Sequence, residues 1–171
     1  MIEQTVEVLR FGYGESGLGS VLVAVSTHGV AAILLGSDRV RLRRDLGGSF
    51  RGVSLVEDQF GLAETIGKVV ALVDKPDDRF DLPLDLRGSA LELAVWQALR
   101  KIPVGETRSY GALAKTLAVP AMAQEVGAAC AANRLAVAIP CHRVVKADGS
   151  ISGYRWGVDR KRRLLSMEAL G

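Results

Sequence analysis

The chain has 171 residues, of which 49% are apolar and 24% are charged. This length suits one large domain or two small ones, and the composition excludes an intrinsically disordered protein. No apolar run is long enough and free enough of charge to span a bilayer. The start, Met1-Ile2-Glu3-Gln4, lacks the basic and apolar regions of a secretory signal, so we expect a bacterial cytoplasmic protein and no membrane partner.

The charge and the cysteines narrow the function classes further. A formal net charge of +3 is compatible with nucleic-acid binding but does not demand it. Cys130 and Cys141 are expected to be free thiols in a reducing compartment. Together with His28 and His142 they lack the ligand spacing of a zinc site, so we expect no structural metal.

The first half of the chain predicts a small α/β unit. Two apolar, partly β-branched runs, Ser20–Ser26 and Val30–Leu35, flank Thr27-His28-Gly29. Because Gly29 tolerates positive φ, this pattern indicates a β-hairpin. A third strand is expected within Thr5–Tyr13.

Two helices are predicted after the hairpin. Ser37-Asp38 caps a basic helix that extends to about Leu46 and ends at Gly47-Gly48. A second helix covers Asp58–Val73, where apolar residues repeat on one face. The next segment, Lys75–Arg87, is rich in proline and aspartate and is the best candidate for a domain boundary.

We therefore predict an α/β (α+β) protein with two domains. Residues 1–85 form an N-terminal α/β domain with an antiparallel sheet, and residues 86–171 form a mainly helical domain. A basic helix over Val158–Leu170 closes the second domain.

The second domain is expected to contain a helix-turn-helix. Ser89 caps a helix that ends near Lys101, and Ser109 caps a short helix over Tyr110–Leu117. The next helix covers Ala121–Ala132. Two short helices across a tight connection match the motif whose second helix enters a DNA groove, although helix pairs are common.

Cys141 is the candidate nucleophile. Leu135–Ile139 is predicted to be a buried strand that Pro140 ends, which would place Cys141 at a rigid turn. The reactive form of cysteine is the thiolate, so the site must lower the pKa of the thiol or remove its proton. His142 is the obvious base, and Arg143 adds positive charge.

The pairing of Cys141 with His142 leaves a structural role open, because most buried cysteines act as small hydrophobes. Neighbouring side chains diverge, so a water or an irregular turn would have to pass the proton between them. The base also needs an orienting group, and Glu168 is a candidate. Cys130, in an alanine-rich helix without charged neighbours, is interpreted as a core residue.

A loop rich in glycine and aromatics follows the candidate nucleophile. Gly153 and Gly157 flank Tyr154-Arg155-Trp156. Such a loop could hold a planar ligand between backbone N–H groups and stacked rings. An ordinary surface loop with aromatic anchors is the alternative.

The segment Pro140-Cys141-His142-Arg143-Val144 resembles the signature of the O6-alkylguanine-DNA alkyltransferases, also called methylated-DNA–protein-cysteine methyltransferases. The likeness is greatest to the C-terminal repair half of bacterial Ada-type proteins, and it is weakest before about Asp85. Other stretches that follow the order of this family are Val95–Leu99, Ile102–Thr107, Ser109-Tyr110, Cys130–Asn133 and Ser152–Val158.

The resemblance implies a function. A base flipped out of double-stranded DNA would lose its O6-alkyl group, or an O4-alkyl group of thymine, irreversibly to Cys141. It further implies a monomer without cofactor or metal, and a ribonuclease H-like fold for residues 1–85. The implied catalytic roles are a water-mediated base for His142, its orientation by Glu168, proton donation to guanine by Tyr110, and a hinge at Asn133.

The resemblance also implies residues that bind substrate and DNA. The substrate would be held by Val144, Tyr154, Arg155 and Trp156, and the DNA by Tyr110, Ala123, Gln124 and Arg143. One position departs from the family, because Gln124 stands where the recognition helix usually carries an arginine finger. Glu125 follows it and would flank phosphates, so weaker duplex binding and slower base flipping are expected.

Three other functions stay open. One is a module that binds alkylated bases without reaction, although relatives of that kind usually lack the cysteine. Another, prompted by Gln124, is alkyl transfer from free bases, small alkylating agents or another nucleic acid. A cysteine hydrolase is the third, and it lacks an evident oxyanion motif.

Overall fold

The computed structural model describes residues 6–170, which divide into two compact units. The first unit contains the chain up to Asp74 together with Asp81–Asp85, and the second contains Lys75–Phe80 and everything from Leu86. Strands and helices both occur, which confirms the predicted α+β class. This division differs from a single boundary at residue 85, because Lys75–Phe80 belongs to the second unit and Asp81–Asp85 to the first. The predicted division into two domains stays a prediction. No helix within the described residues is long and apolar enough to cross a membrane.

The first unit contains a four-stranded sheet of β1 Val8–Ser16, β2 Gly19–Val25, β3 Val30–Gly36 and β4 Ser54–Glu57. The strands lie in the order β3-β2-β1-β4. The predicted hairpin is confirmed, and β2 pairs antiparallel with both β1 and β3. The strand β4 pairs parallel with β1. It was not predicted, because the strand has only four residues and most of them are exposed. The predicted start of the first strand, Thr5, lies outside the described residues.

Two helices, α1 Arg39–Ser49 and α2 Ala63–Asp74, complete the first unit. The N-cap of α1 is Asp38, as predicted, and its carboxylate accepts from the Val40 N–H at 2.8 Å. This helix continues through its two glycines instead of ending at Leu46. The second helix begins five residues later than predicted, because Asp58 accepts from the Gly61 N–H and forms a separate turn.

Within the proline- and aspartate-rich segment, Asp81–Asp85 belongs to the first unit and is hydrogen-bonded to it. The Val30 N–H donates to the Pro83 carbonyl, and the Asp85 N–H donates to the Val30 carbonyl, both at 2.8 Å. Ser26 Oγ donates to the Asp85 carboxylate at 2.6 Å. Gly29 lies beneath this segment with φ +149°, and a Cβ there would be 2.4 Å from the Pro83 carbonyl oxygen.

The second unit is mainly helical, as predicted. Ser89 and Glu92 form a capping box at the start of α3, and Ser109 caps α4. The helix-turn-helix pair is present, and its second helix begins at Ala123. The elements are α3 Ala90–Leu99, β5 Arg108–Ser109, α4 Tyr110–Thr116, α5 Ala123–Ala131, a 3₁₀ helix Cys141–Arg143, β6 Val144–Val145 and α6 Val158–Leu170.

The predicted strand over Leu135–Ile139 is wrong. The segment is a tight turn in which Val137 has φ +68° and the Ile139 N–H donates to the Leu135 carbonyl at 3.0 Å. The side chain of Asn133 supplies hydrogen bonds that a neighbouring strand would otherwise supply. It accepts from the Leu135 N–H and donates to the Ile139 carbonyl. Cys141 therefore follows a side-chain-stabilised turn and opens a 3₁₀ helix.

The close approach of Gly29 to the Pro83 carbonyl leads to a stability prediction. Replacing Gly29 with Ala should lower the free energy of unfolding by about 2 kcal/mol, because the new Cβ meets a backbone oxygen at a positive φ. Gly48→Ala is the control, since its Cβ would meet nothing within 4 Å inside a helix and should be neutral or stabilising. Urea unfolding measures both, and equal effects of the two substitutions would contradict the described contact.

Candidate active site

A pocket of about 390 Å³ lies within the second unit. It is large enough for a planar heteroaromatic ring and has the size typical of small-ligand sites. Its walls come from α4, α5, the 3₁₀ helix and the loop before α6. The lining residues are Tyr110, Gly127, Cys130, Ala131, Cys141, Gly153, Tyr154 and Arg155.

Cys141 brings its thiol to this pocket in a buried position, with only 3% of the residue exposed. Burial raises the pKa of the thiol to about 11, although the Asn133 hydrogen bond and the charges of Lys161 and Arg155 act to lower it. The Asn133 Nδ2 atom lies 3.3 Å from the sulfur. The thiol is thus protonated at neutral pH, and a nearby base must take its proton before it can act as a nucleophile.

A buried cluster of three charged or titratable side chains lies behind the thiol. The Glu168 carboxylate contacts His142 Nε2 at 2.7 Å and the Arg143 Nε and Nη2 atoms at 2.9 Å each. Burial acts to raise the pKa of Glu168, but the hydrogen bonds from His142 and Arg143 outweigh it and lower the pKa to about 2. Glu168 is therefore ionised, and it fixes both partners.

The contact with Glu168 determines which nitrogen of His142 is free to act as a base. Burial lowers the pKa of His142, while Glu168 acts in the opposite direction, so the imidazole is neutral at pH 7. A carboxylate can only accept, so Nε2 carries the hydrogen and Nδ1 carries the lone pair. Nδ1 is buried and has no hydrogen-bond partner among residues 6–170. The arrangement expected of a base and its orienting carboxylate is therefore present.

Asn133 joins the end of α5 to the nucleophile. It is 1% exposed, and its side chain contacts the Leu135–Ile139 turn and the sulfur of Cys141. Its carbonyl accepts from Arg155 Nη1 at 2.6 Å. A substitution that removes the amide would leave several buried backbone groups unsatisfied.

Tyr110, the first residue of α4, lines the opposite wall of the pocket. Its hydroxyl hydrogen-bonds to the hydroxyl of Ser152. Burial raises the pKa of Tyr110, so the phenol keeps its proton and can donate to a bound group.

The aromatic loop supplies one wall residue and one anchor. Tyr154 lines the pocket, and its buried hydroxyl has no partner in the described part of the chain. Trp156 does not line the pocket; it is 5% exposed and packs edge-on against Tyr154 at 5.3 Å between centroids. Trp156 thus supports Tyr154, and its expected contact with substrate stays a prediction, whereas Arg155 lines the pocket.

Two residues beside the nucleophile lie deeper than expected. Arg143 is 4% exposed and donates to the Ile102 carbonyl at 2.6 Å as well as to Glu168, so its guanidinium is not available for the predicted DNA contact. Val144 is fully buried in β6, and its N–H donates to the Cys141 carbonyl. Its expected contact with substrate stays a prediction, because Val144 is not among the lining residues.

The start of α5 is exposed around Ala123 and Gln124. The Glu125 carboxylate accepts from the Met122 N–H at 3.0 Å and caps the helix, and its expected position beside phosphates stays a prediction. Farther along the same helix, Gly127 reaches the pocket. The predicted DNA contacts of Ala123 and Gln124 are therefore sterically open and stay predictions.

Sequence reasoning missed two residues of the site. Lys161 was grouped with a basic surface helix, yet it is fully buried. It shares the buried face of α6 with Leu164 and Glu168, and that spacing of three and seven residues could have revealed it. Cys130 is half-buried and lines the pocket, so its interpretation as a core residue is corrected.

Comparison with known proteins agrees with this geometry. The family described as "6-O-methylguanine DNA methyltransferase, DNA binding domain" matches residues 90–170. The Mycobacterium tuberculosis OGT, solved in complex with DNA, aligns over 95% of this chain and 93% of its own, with a TM-score of 0.77 and 32% identity. The chain belongs to the O6-alkylguanine-DNA alkyltransferase family.

Curated relatives of this chain differ in length. It is 45% identical over 161 residues to the Escherichia coli "Bifunctional transcriptional activator/DNA repair enzyme Ada", covering 94% of this chain and 46% of that protein. The chain thus spans about half the length of the first curated relatives it matches. It is 40% identical to the Mycobacterium leprae "Methylated-DNA--protein-cysteine methyltransferase", over 68% of this chain and 70% of that protein.

The buried carboxylate predicts a pH-dependent stability difference. Because the pKa of Glu168 falls from about 4.5 to about 2 on folding, its stabilisation is present above pH 5 and is lost as the pH falls toward 2. Glu168→Gln should lower the free energy of unfolding by about 3 kcal/mol at pH 7, and the difference from wild type should shrink by pH 3.

Urea unfolding at pH 7, 5 and 3 measures this difference. The control is Glu64→Gln, whose side chain is 87% exposed and should show little effect at any pH. A Glu168→Gln difference that stays constant from pH 7 to pH 3 would mean that the carboxylate is not held ionised by its partners.

Proposed function

We propose that this alkyltransferase repairs DNA by moving the alkyl group of O6-alkylguanine to Cys141, once per molecule. The observation that carries the proposal is a pocket whose thiol precedes a buried histidine with a free Nδ1 lone pair and a carboxylate on Nε2. Membership of the family supports the same reaction. We also infer a cytoplasmic location, where a reactive free thiol stays reduced, and a monomeric state, which the family resemblance implies.

The proposed reaction is a direct displacement. His142 Nδ1 takes the proton of the Cys141 thiol, through a water because adjacent side chains diverge. The thiolate forms a bond to the alkyl carbon while the bond from that carbon to O6 breaks, and the electron pair stays on the base. The base then takes up a proton, with Tyr110 as the hydrogen-bond donor that disperses its charge.

The product explains the single turnover. A thioether is not cleaved by cellular thiols, so Cys141 is consumed together with the alkyl group. The displacement is redox-neutral, and we propose that it uses no cofactor and no metal.

We propose that the substrate is double-stranded DNA with the damaged base flipped out. The sulfur of Cys141 is nearly inaccessible from the surface, so a base within a duplex must leave the stack to reach it. The helix pair α4–α5 offers the exposed Ala123 and Gln124 next to the pocket wall, and we assign the DNA contact to this edge. Residues 1–85 are proposed to be the ribonuclease H-like part of the family.

The alternative functions have less support. A module that only binds alkylated bases would not need the Cys141 thiol with its base, and the Mycobacterium leprae relative is named a methyltransferase. Transfer from a free base remains an outcome that a direct test distinguishes.

The adduct itself is the most direct product of the proposed reaction. Incubation with a duplex that carries one O6-methylguanine should add one methyl group to the intact protein, and peptide mapping should place it on Cys141. Cys141→Ser should take up none, whereas Cys130→Ser should still be alkylated at Cys141. Tight binding without any adduct, or an adduct on Cys130, would refute the proposal. Reaction with the free base but not the duplex would favour the alternative substrate.

The position of Gln124 predicts a gain from added charge. Gln124→Arg should tighten duplex binding by about 1 kcal/mol, roughly fivefold in Kd, and steepen the salt dependence, because the guanidinium reaches phosphates or base edges. Gln97→Arg adds the same charge on the exposed side of α3 and is the matched control. Fluorescence anisotropy at several salt concentrations measures both. Equal effects would show that residue 124 does not contact DNA.

A further inference from the structure

Lys161 is a buried cation that the proposed reaction does not yet use. It is the largest side chain that is fully buried among the described residues, although it lies on α6 among charged neighbours. Its Nζ atom donates to Ser152 Oγ at 3.1 Å and to the Gly153 carbonyl at 3.3 Å. Burying an ammonium group is unfavourable unless nearby groups compensate for its charge.

Within the described residues, no carboxylate oxygen lies within 4.0 Å of Lys161 Nζ. The titratable groups that face it are instead Cys141, Cys130 on α5, and Tyr110, whose ring centroid lies 5.9 Å from Nζ. Burial lowers the pKa of Lys161, and the two thiols, where ionised, raise it. Its charge also lowers the pKa of His142. The negative charge that would compensate this cation is therefore one that arises in the pocket.

The hydrogen bonds of Lys161 also have a direction. An ammonium group can only donate, so Ser152 Oγ accepts from Nζ. The hydroxyl hydrogen of Ser152 is then available for the oxygen of Tyr110, with which it is hydrogen-bonded. When Ser152 donates in this hydrogen bond, Tyr110 accepts and keeps its own hydrogen for the pocket. The chain Lys161–Ser152–Tyr110 thus aims a phenolic donor at a bound base.

We propose that Lys161 is the positioning residue that supplies the positive charge of the pocket, acting directly on Cys141 and through Ser152 on Tyr110. This inference rests on the proposed alkyl transfer for its second part only. As the S–C bond forms and the C–O6 bond breaks, one unit of negative charge moves from sulfur to the base. A cation with no carboxylate partner stabilises that charge at both ends of its path.

The first part is tested without DNA. The rate of Cys141 alkylation by iodoacetamide is measured against pH in the full chain, with Cys130→Ser as the background. Lys161→Met should slow the reaction about tenfold at pH 8 and move its midpoint to higher pH, since a positive charge near the thiolate is lost. Lys161→Arg should restore the midpoint, and Lys68→Met, an exposed lysine of the first unit, is the charge-matched control.

A profile for Lys161→Met that equals that of Lys68→Met would overturn the proposal, because a merely structural lysine changes stability and not the midpoint. Where Lys161→Met does not fold, the comparison of wild type with Lys161→Arg and Ser152→Ala decides. Retention of the wild-type midpoint by Lys161→Arg supports the charge assignment, and an upward shift in Lys161→Arg contradicts it.

The second part is tested with Ser152→Ala. Single-turnover methyl transfer from an O6-methylguanine duplex, at saturating protein, should slow about tenfold while the iodoacetamide profile changes little. Transfer at the wild-type rate would overturn the donor chain. If wild type itself transfers no methyl group, the proposed function fails, and the iodoacetamide profile still decides the role of Lys161.

Discussion

The contact of the Glu168 carboxylate with His142 and Arg143 is the interaction on which the rest of the site depends. It ties α6 to the 3₁₀ helix that starts at Cys141, and it does so inside the protein, where an unpaired charge would be strongly destabilising. The same carboxylate sets the tautomer of the imidazole. Stability and chemistry therefore rest on one group, and neither could be changed alone.

A thiol held in this way is unreactive until a neighbouring base removes its proton. Burial keeps Cys141 protonated, and the amide of Asn133, the charge of Lys161 and the lone pair of His142 all favour the loss of its proton. This balance suits the single use that we propose for this side chain, since an exposed thiolate would react with other electrophiles in the cell. Access through a pocket of limited size adds selectivity for a planar base.

Local signals predicted the helices well, because caps such as Ser89 and apolar periodicity are properties of neighbouring residues. The turn before Cys141 could not be predicted this way, since the side chain of Asn133 supplies the hydrogen bonds that a strand would otherwise need. Arg143 was expected to contact DNA, and Lys161 was given no role within the basic helix that closes the chain. Their burial depends on partners distant in sequence, although the spacing of Lys161 from Leu164 and Glu168 could have indicated a buried face.

The central claim is that Glu168 holds His142 as a neutral base whose Nδ1 serves the thiol of Cys141. Nitrogen-15 NMR of the imidazole measures this directly. The account predicts a neutral ring from pH 6 to 8 with the proton on Nε2, and loss of that single tautomer in Glu168→Gln. An imidazolium ring at pH 7, or a proton on Nδ1 in the wild-type protein, would contradict it.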